Sequence, residues 1–354
     1  MRAVRIHQCG PLTLDFKGLR LDSLPIPEPA DGEVLIRVAA CGVCHTDLDE
    51  IESRAAPSRM PMTPGHQVVG TVAAQGPGCA STIMSQRVGV AWIHSSCGNC
   101  AYCRQGLENL CEEFQASGRD QPGGYAEYMT APEAFVHEIP EAISSLQAAP
   151  LLCAGAVGYR ALRMTGLQDG ETLGLTGFGA SGHLVLQMAR YLFPQTQVYV
   201  FARSAREREF ALALGAHWAG DTREVPSLLL QAIIDTTPAW LPVVCALDVL
   251  APGGRLIINA IRKESGDRDE LCKLDFERHL WKEKSIKSVA NVTRKDVRSV
   301  LDLAVRIPLV PSIIEYPLEQ AIDALLAIKS GHMEGAGVLN IGSPAGPSPG
   351  GTGT

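Results

Sequence analysis

The chain has 354 residues, of which 46% are hydrophobic and 19% charged, and it carries a formal net charge of -7. That length exceeds what one compact core usually supports, so two domains are expected. The acidic balance and the lack of a basic tract argue against nucleic-acid binding, and no apolar run reaches the length that spans a bilayer. Because the first residues lack the apolar stretch of a signal peptide, a cytoplasmic protein is expected.

Short β-type runs broken by glycine and proline fill the first part of the chain. Strands are predicted at 34–38, 66–72 and 87–91, and turn signals lie at 25–29 and 122–124. This spacing of strands and turns is typical of an all-β, loop-rich domain.

From about residue 150 the pattern changes to alternating helices and strands, after a first predicted helix over 148–164. Strands are predicted at 172–176, 197–202, 232–235 and 255–259, and helices at 182–193 and 206–214. The alternation predicts a parallel, doubly wound sheet. A helix, 296–305, and a strand, 338–341, close the folded part, and the tail 343–354, rich in Gly, Pro, Ser and Thr, is expected to be disordered.

Four cysteines lie in one short loop, at Cys97, Cys100, Cys103 and Cys111. Gaps of two residues let a tight turn direct successive thiolates inward, and a longer loop returns the fourth. The spacing predicts one structural zinc ion, and an iron–sulfur cluster is the alternative. Because protein would fill all four positions of the zinc, the metal is expected to fold the loop and do no chemistry.

Three further residues, Cys44, His66 and Cys153, form a second candidate metal site. Cys44 directly follows a predicted strand, His66 lies among glycines that allow close backbone approach, and Cys153 is placed at the start of the junction helix. Each residue alone is more often a core residue than a ligand. Two cysteines and one histidine leave a fourth position open, which is the arrangement of a catalytic zinc.

A glycine-rich loop follows the predicted strand 172–176 and opens the next helix, with glycines at Gly177, Gly179 and Gly182. In this setting the GxGxxG pattern predicts a dinucleotide site, because the helix N-terminus offers free N–H groups to a pyrophosphate.

The segment after the next strand indicates which dinucleotide is bound. An acidic residue that would bind the ribose 2′-hydroxyl of NAD is missing, and the strand ends instead in Ala202, Arg203 and Ser204. A cation here favours a 2′-phosphate, so NADP is predicted over NAD. The alternative interpretation is a solvated, basic helix start.

With these motifs in this order, the chain resembles the zinc-dependent medium-chain alcohol dehydrogenases from residue 1 to about 341. The resemblance implies an α/β plus all-β fold, with a GroES-like β-rich catalytic domain and a Rossmann doubly wound parallel-sheet domain. The implied limits are 1–154 for the catalytic domain, with the zinc lobe at about 92–113, then 155–289 for the Rossmann domain and 290–342 for a return to the first. Two zinc ions per chain and a homodimer or homotetramer are also implied.

The resemblance further implies roles for individual residues. Cys44, His66 and Cys153 would hold the catalytic zinc, and the four-cysteine loop the structural zinc. Thr46 would take the alcohol proton, and Asp47 would orient His66. The other implied roles are a cofactor pyrophosphate contact at His45 and a substrate pocket lined by Trp92 and Ile93.

Three positions depart from the family pattern. Gln67 stands where a glutamate usually follows the zinc-binding histidine, so a carboxylate near the metal is lost. Asp49 stands where a histidine often ends the proton relay, although an acid can also carry protons. Ala336 replaces a basic residue in the closing strand, which removes one expected phosphate contact. Turnover is therefore expected to be modest.

The leading hypothesis is a zinc-dependent alcohol dehydrogenase or aldehyde reductase acting on small alcohols and aldehydes. A reductase of bulkier carbonyl compounds is the second, and Arg203 would suit it. The third is a binding or sensor protein that has lost turnover, which Gln67 and Ala336 suggest.

Overall fold

Two large β-sheets organise the chain, and they draw on different stretches of the sequence. The computed structural model describes residues 1–80, 83–307, 309–331 and 333–342, so the tail predicted to be disordered lies outside the described residues. Within those ranges no helix combines the length and the apolar character that crossing a membrane requires.

The first part of the chain is rich in short strands, as predicted. Its strands are β1 (Arg2–Ile6), β2 (Leu19–Ser23), β3 (Glu33–Val43), β4 (Val68–Gln75), β5 (Arg87–Val90), β6 (Ile93–Ser95), β7 (Gln115–Ala116), β8 (Tyr128–Pro132) and β9 (Val136–Glu138). Two short helices, α1 (His45–Ile51) and α2 (Ala101–Arg104), interrupt them.

Strand β3 is the centre of this β-rich part. It pairs antiparallel with β4 and β8, and nearly all of its residues are buried. It is longer than the predicted strand and ends at Val43, so Cys44 leaves the sheet at a fixed point and begins α1.

The second sheet has six parallel strands, which confirms the predicted doubly wound class. The strands are β10 (Thr172–Thr176), β11 (Gln197–Phe201), β12 (Trp218–Gly220), β13 (Leu230–Asp235), β14 (Leu250–Ile258) and β15 (Ser285–Ser288). Their order is β12-β11-β10-β13-β14-β15, so the order reverses between β10 and β13. Ligands of such sheets bind in the crevice outside that reversal.

Helices cover this sheet and connect it to the rest of the chain. In chain order they are α3 (Ser145–Pro150), α4 (Ala156–Thr165), α5 (Gly182–Leu192), α6 (Ala205–Ala213), α7 (Leu241–Val249), α8 (Phe276–His279) and α9 (Arg294–Arg306).

The prediction of one regular helix over 148–164, with Cys153 at its start, is wrong in this detail. The helical stretch begins at Ser145, and a π-helical turn over Leu151–Gly155 separates α3 from α4. Pro150 has no backbone N–H to donate, so the regular hydrogen-bond ladder is broken just before the wider turn. Cys153 therefore lies in the middle of the π turn.

The chain finally returns to the first sheet through β16 (Ile313–Pro317), α10 (Ala321–Lys329) and β17 (Ala336–Asn340). Strand β17 pairs antiparallel with β3, which places the C-terminal strand beside the strand that leads to Cys44. One apolar cluster contains Val69 and Val338 together with Leu173 of the parallel sheet, so the two sheets share a continuous core.

Candidate active site and metal centres

The four lobe cysteines converge on one point. Their sulfur atoms all lie within 4.8 Å of one another, and Cys97 Sγ lies 3.5 Å from Cys111 Sγ and 3.9 Å from Cys103 Sγ. Bonds of about 2.3 Å to a tetrahedral zinc ion require sulfur separations of about 3.8 Å, so the donor set fits zinc.

Backbone N–H groups point at two of the lobe sulfur atoms. The Cys100 N–H points to Cys97 Sγ at 3.4 Å, and the Cys103 N–H points to Cys100 Sγ at 3.5 Å. Hydrogen bonds from the N–H groups of Asn99 and Cys100 lower the pKa of Cys97 to about 7. The turn is tight because Gly98 adopts φ +74°, a conformation that glycine reaches without strain.

The lobe is fastened to the segment that follows the parallel sheet. The Asn109 side chain donates to Ala290 O at 2.6 Å, and both the backbone N and the Nε of Arg294 donate to Glu108 Oε1, at 3.0 and 3.1 Å. Burial alone would raise the pKa of Glu108, but the hydrogen bonds from Arg294 and from the backbone N–H of Glu108 itself hold that pKa below its usual value. The lobe residues therefore make contacts far along the sequence.

The second predicted set, Cys44, His66 and Cys153, is also brought together. Its three ligand atoms lie within 4.8 Å of one another. Cys44 is the N-cap of α1, Cys153 lies in the π turn, and His66 is fully buried after Gly65, whose φ is +99°. Three elements that are distant in sequence thus supply the donors.

The charges around these donors favour a cation. Burial alone would lower the pKa of His66, but the Asp47 carboxylate and the Cys44 sulfur raise it well above its usual value. Hydrogen bonding from the neighbouring Cys153 thiol lowers the pKa of Cys44 well below its usual value, despite burial. A zinc ion can take the place of these protons, because thiolate and neutral imidazole are its ligands.

Asp47 links the two halves of this donor set. Its Oδ2 accepts the Cys44 N–H at 2.8 Å, and its Oδ1 lies 3.2 Å from His66 Nδ1. Carboxylates behind metal-binding histidines fix the ring orientation. The predicted orienting role of Asp47 would use this contact with His66.

Tyr125 is a site residue that sequence reasoning missed. Its hydroxyl donates to Asp47 Oδ2 at 3.0 Å, and both residues are fully buried. Its ring packs against Gly65, because a Cβ at that glycine would lie 2.3 Å from Tyr125 Cδ1. The glycine pair before Tyr125 was recognised only as a turn signal, and nothing in it indicates a hydrogen bond to α1.

His45 and Thr46 directly follow Cys44 in the first turn of α1. The Thr46 hydroxyl is 3.6 Å from Cys44 Sγ and the residue is buried, whereas His45 is exposed.

Asp49 makes contacts that differ from those expected of a relay residue. Its Oδ1 accepts from Arg54 Nε and from Arg262 Nε, both at 2.7 Å. Arg262 follows β14 of the parallel sheet, so this carboxylate joins the two parts of the molecule.

Aromatic rings form one wall beside the metal donors. The ring of Trp92 lies 6.4 Å from that of His66 and 5.4 Å from that of Phe114, measured between centroids. The guanidinium of Arg119 lies 5.4 Å over Trp92. Ile93, the other predicted pocket residue, is fully buried in β6, whereas Trp92 keeps partial exposure.

The three positions of the dinucleotide loop each favour glycine, for a different local reason. Gly177 adopts φ +79°, and a Cβ at Gly182 would lie 2.8 Å from Gly177 O. A Cβ at Gly179 would meet no described atom within 4 Å, which leaves open space for a ligand to approach the backbone. These roles match the turn, packing and close-approach roles of dinucleotide-binding glycines.

The loop is joined directly to the metal-donor region. Ser181 Oγ donates to Ala154 O at 3.1 Å, and Ala154 is the residue after Cys153. Asn259, at the end of β14, donates to Ser181 Oγ at 3.2 Å. A dinucleotide on this loop would therefore lie beside the Cys44, His66 and Cys153 donors.

A buried ion pair at the end of β13 was not predicted from the sequence. Lys263 Nζ pairs with Asp235 and also donates to Thr237 O at 2.8 Å and Ala239 O at 2.9 Å. The Thr176 hydroxyl donates to Asp235 Oδ1 at 2.5 Å. The pair connects the ends of β10 and β13, on either side of the crevice.

The predicted 2′-phosphate site lies at the end of β11. Ala202 is buried, Arg203 and Ser204 are exposed, and Ser204 makes no side-chain capping bond to α6. Two nearby arginines are engaged: Arg206 pairs with Glu334, and Arg208 donates to Ala202 O at 2.8 Å. Arg203 has no ion pair within the described part of the chain.

Two of the departures from the family pattern are buried. Gln67 is 3% exposed, and its amide packs against Gly42, where a Cβ would lie 2.8 Å from Gln67 Cδ. Ala336 is buried in β17 and leaves no cation at that position. Glu334, two residues before Ala336, pairs with Arg206.

Comparison with known proteins gives one family throughout. Residues 30–141 match the model of the alcohol dehydrogenase GroES-like domain. The chain is 40% identical over 346 residues to "Probable alcohol dehydrogenase AdhA" of Mycobacterium tuberculosis, covering 96% of this chain and 97% of that protein. It is 32% identical over 335 residues to an alcohol dehydrogenase of Geobacillus stearothermophilus, covering 92% of this chain and 97% of that protein.

Solved structures give the same result. The cobalt- and zinc-bound thermostable alcohol dehydrogenase of Pyrobaculum aerophilum superimposes with a TM-score of 0.85 at 25% identity, covering 96% of this chain and 99% of that chain. A structure described as an NAD-dependent alcohol dehydrogenase matches with a TM-score of 0.84 at 25% identity, over 97% of this chain and 100% of that one.

Proposed function

The chain belongs to the zinc-dependent medium-chain alcohol dehydrogenase family and is an oxidoreductase of alcohols and aldehydes, and from that premise we propose that Cys44, His66 and Cys153 hold its catalytic zinc. The preferred cofactor in this proposal is NADP. The lobe cysteines hold a second zinc, which gives two ions per chain.

One observation carries the proposal. The metal donors and the dinucleotide loop are held together by the hydrogen bond from Ser181 to Ala154, next to Cys153. A substrate oxygen at the open metal position would then lie near a dinucleotide held by the loop, and hydride transfer requires such proximity. When bound, zinc acts as a Lewis acid on the substrate oxygen, and the nicotinamide accepts or supplies the hydride.

The protein's own residues handle the proton and the orientation of the substrate. Thr46 lies 3.6 Å from the Cys44 sulfur and is placed to take the hydroxyl proton of an alcohol. His45, the preceding residue, is exposed and contacts the cofactor pyrophosphate in this proposal. Trp92 and Phe114 provide an apolar face for a small substrate chain.

A cofactor-oxidation assay tests the function. Purified, zinc-loaded protein should oxidise NADPH in the presence of short aliphatic or aromatic aldehydes, and it should do so faster than it oxidises NADH. Absence of turnover with both cofactors across the panel would contradict the proposal.

Arg203→Ala tests the cofactor preference. Because the Arg203 guanidinium has no ion-pair partner in the described structure, it is free to bind a 2′-phosphate. A hydrogen bond to a charged group contributes about 1.5–3 kcal/mol, so KM for NADPH should rise about 10-fold or more while KM for NADH stays nearly constant. Arg206→Ala, at a neighbouring arginine that already pairs with Glu334, is the control. Equal changes in both KM values would argue for NAD.

The same proposal includes the domain limits 1–154, 155–289 and 290–342 and a homodimer or homotetramer. Strand β15, at the edge of the parallel sheet, is exposed along its length, and Ile286 in it is 41% exposed. An open edge of this kind can pair with a second copy. Light scattering from the purified protein would give a monomer mass if the edge stays unpaired.

A further inference from the structure

Glu50, in α1, is a buried carboxylate without a hydrogen-bond donor. Its residue is 0% exposed, and neither carboxylate oxygen accepts a hydrogen bond within the described part of the chain. Glu52, two residues later, is bonded by the Leu12 N–H at 2.9 Å, by Lys329 Nζ at 2.5 Å and by Arg54. A buried, unpaired charge costs several kcal/mol, so Glu50 needs an explanation that Glu52 does not.

The direction of Glu50 follows from its place on the helix. Residues three and four apart share a helix face, so Glu50 lies on the face of Thr46 and Asp47. That face contacts the metal donors, since Asp47 reaches His66 and Cys44. His66 and Cys44 are also among the charges that act on the Glu50 carboxyl.

The cations nearest to α1 are already occupied. Arg54 binds Asp49 and Glu52, and Arg262 binds Asp49. Burial and the Asp47 carboxylate raise the pKa of Glu50 well above its usual value, against the smaller opposing effects of His66 and of the nearby Trp92 indole N–H, which itself makes no hydrogen bond within the described residues. A divalent ion held by the adjacent donors would reverse this balance and favour the ionised carboxylate.

We propose that Glu50, in α1, supplies the carboxylate of the catalytic metal site. The position that follows His66, where a carboxylate is expected, holds the neutral Gln67. The inference rests on the proposed catalytic zinc. Glu50 acts as a positioning residue that balances the charge of the metal and slows its loss.

Chelator-driven zinc release from the whole protein tests this inference. Glu50→Gln keeps the size of the side chain and removes its charge. Removal of a group that supports metal ligands typically weakens metal binding by about 10- to 100-fold, so one of the two zinc ions should leave about 10-fold or more faster, while the lobe zinc leaves at the wild-type rate. Glu52→Gln, at a carboxylate with three donors, should release both ions at wild-type rates.

Moving the carboxylate to another position beside the metal donors tests whether its charge, and not the local structure around Glu50, slows zinc release. In the double variant Glu50→Gln with Gln67→Glu, the new carboxylate adjoins His66, so slow zinc release should return. Fast release in this double variant, or a wild-type rate in Glu50→Gln alone, would overturn the role of Glu50. Wild-type protein that holds only the lobe zinc would instead contradict the proposed catalytic site itself.

Discussion

Cys44→Ser should lower kcat/KM for alcohol oxidation by about 1000-fold or more and leave the protein folded. Cys44 is the N-cap of α1 and one of three donors within 4.8 Å of one another. Serine keeps the shape of the residue, but its hydroxyl does not ionise as a thiol does and is a poor zinc ligand. Metal activation of a substrate oxygen is worth several kcal/mol, and each 1.36 kcal/mol is about tenfold in rate.

The measurement combines kinetics with metal content and thermal unfolding. Cys44→Ser should retain the lobe zinc and lose the other. Cys245→Ser is the matched control, because Cys245 is also partly buried but lies in α7, away from both donor sets. Wild-type activity in Cys44→Ser would show that the metal, if bound there, is not used in the reaction.

Cys103→Ser should have the opposite pattern, with a large loss of stability and a smaller loss of activity per folded molecule. The apparent binding free energy of structural zinc is about 10–16 kcal/mol. Because the complete site exists only in the folded protein, this free energy stabilises the folded state. Without the metal, Glu108 and Asn109 lose their fixed positions, and with them their bonds to Arg294 and Ala290. We expect a free energy of unfolding lowered by several kcal/mol.

Chemical denaturation with metal analysis checks this result and separates zinc from iron. Wild-type protein should contain zinc in both sites and no iron, whereas Cys103→Ser should keep only the zinc of the Cys44 site. Iron in place of the lobe zinc would favour the iron–sulfur alternative. Unchanged stability in Cys103→Ser would show that the lobe contributes little to folding.

Features encoded by neighbouring residues were predictable from the sequence. The lobe cysteines and the loop glycines act through spacing within a single turn, and the structure places each group together. The alternation of strands and helices likewise predicted the parallel sheet, since each strand or helix carries its own periodicity.

Features that depend on distant contacts were not predictable in this way. The sequence predicts one helix over 148–164, because nothing in its apolar pattern reveals the π turn after Pro150. Glu50 lies in an acidic run that is typical of an exposed helix, and only the packing of α1 buries it. Tyr125 reaches Asp47 through a hydrogen bond between segments that no local pattern relates.

Asp49 has a consequence beyond its place in α1. The residue is 2% exposed, and its carboxylate accepts a hydrogen bond from Arg262 in the segment after β14, so an ion pair ties the helix that follows Cys44 to the parallel sheet. Separation of these two segments would break a contact between charges, and salt screens buried contacts of this kind far less than exposed ones. The ion pair would therefore hold the two segments together over a wide range of ionic strength, without involving any of the metal donors.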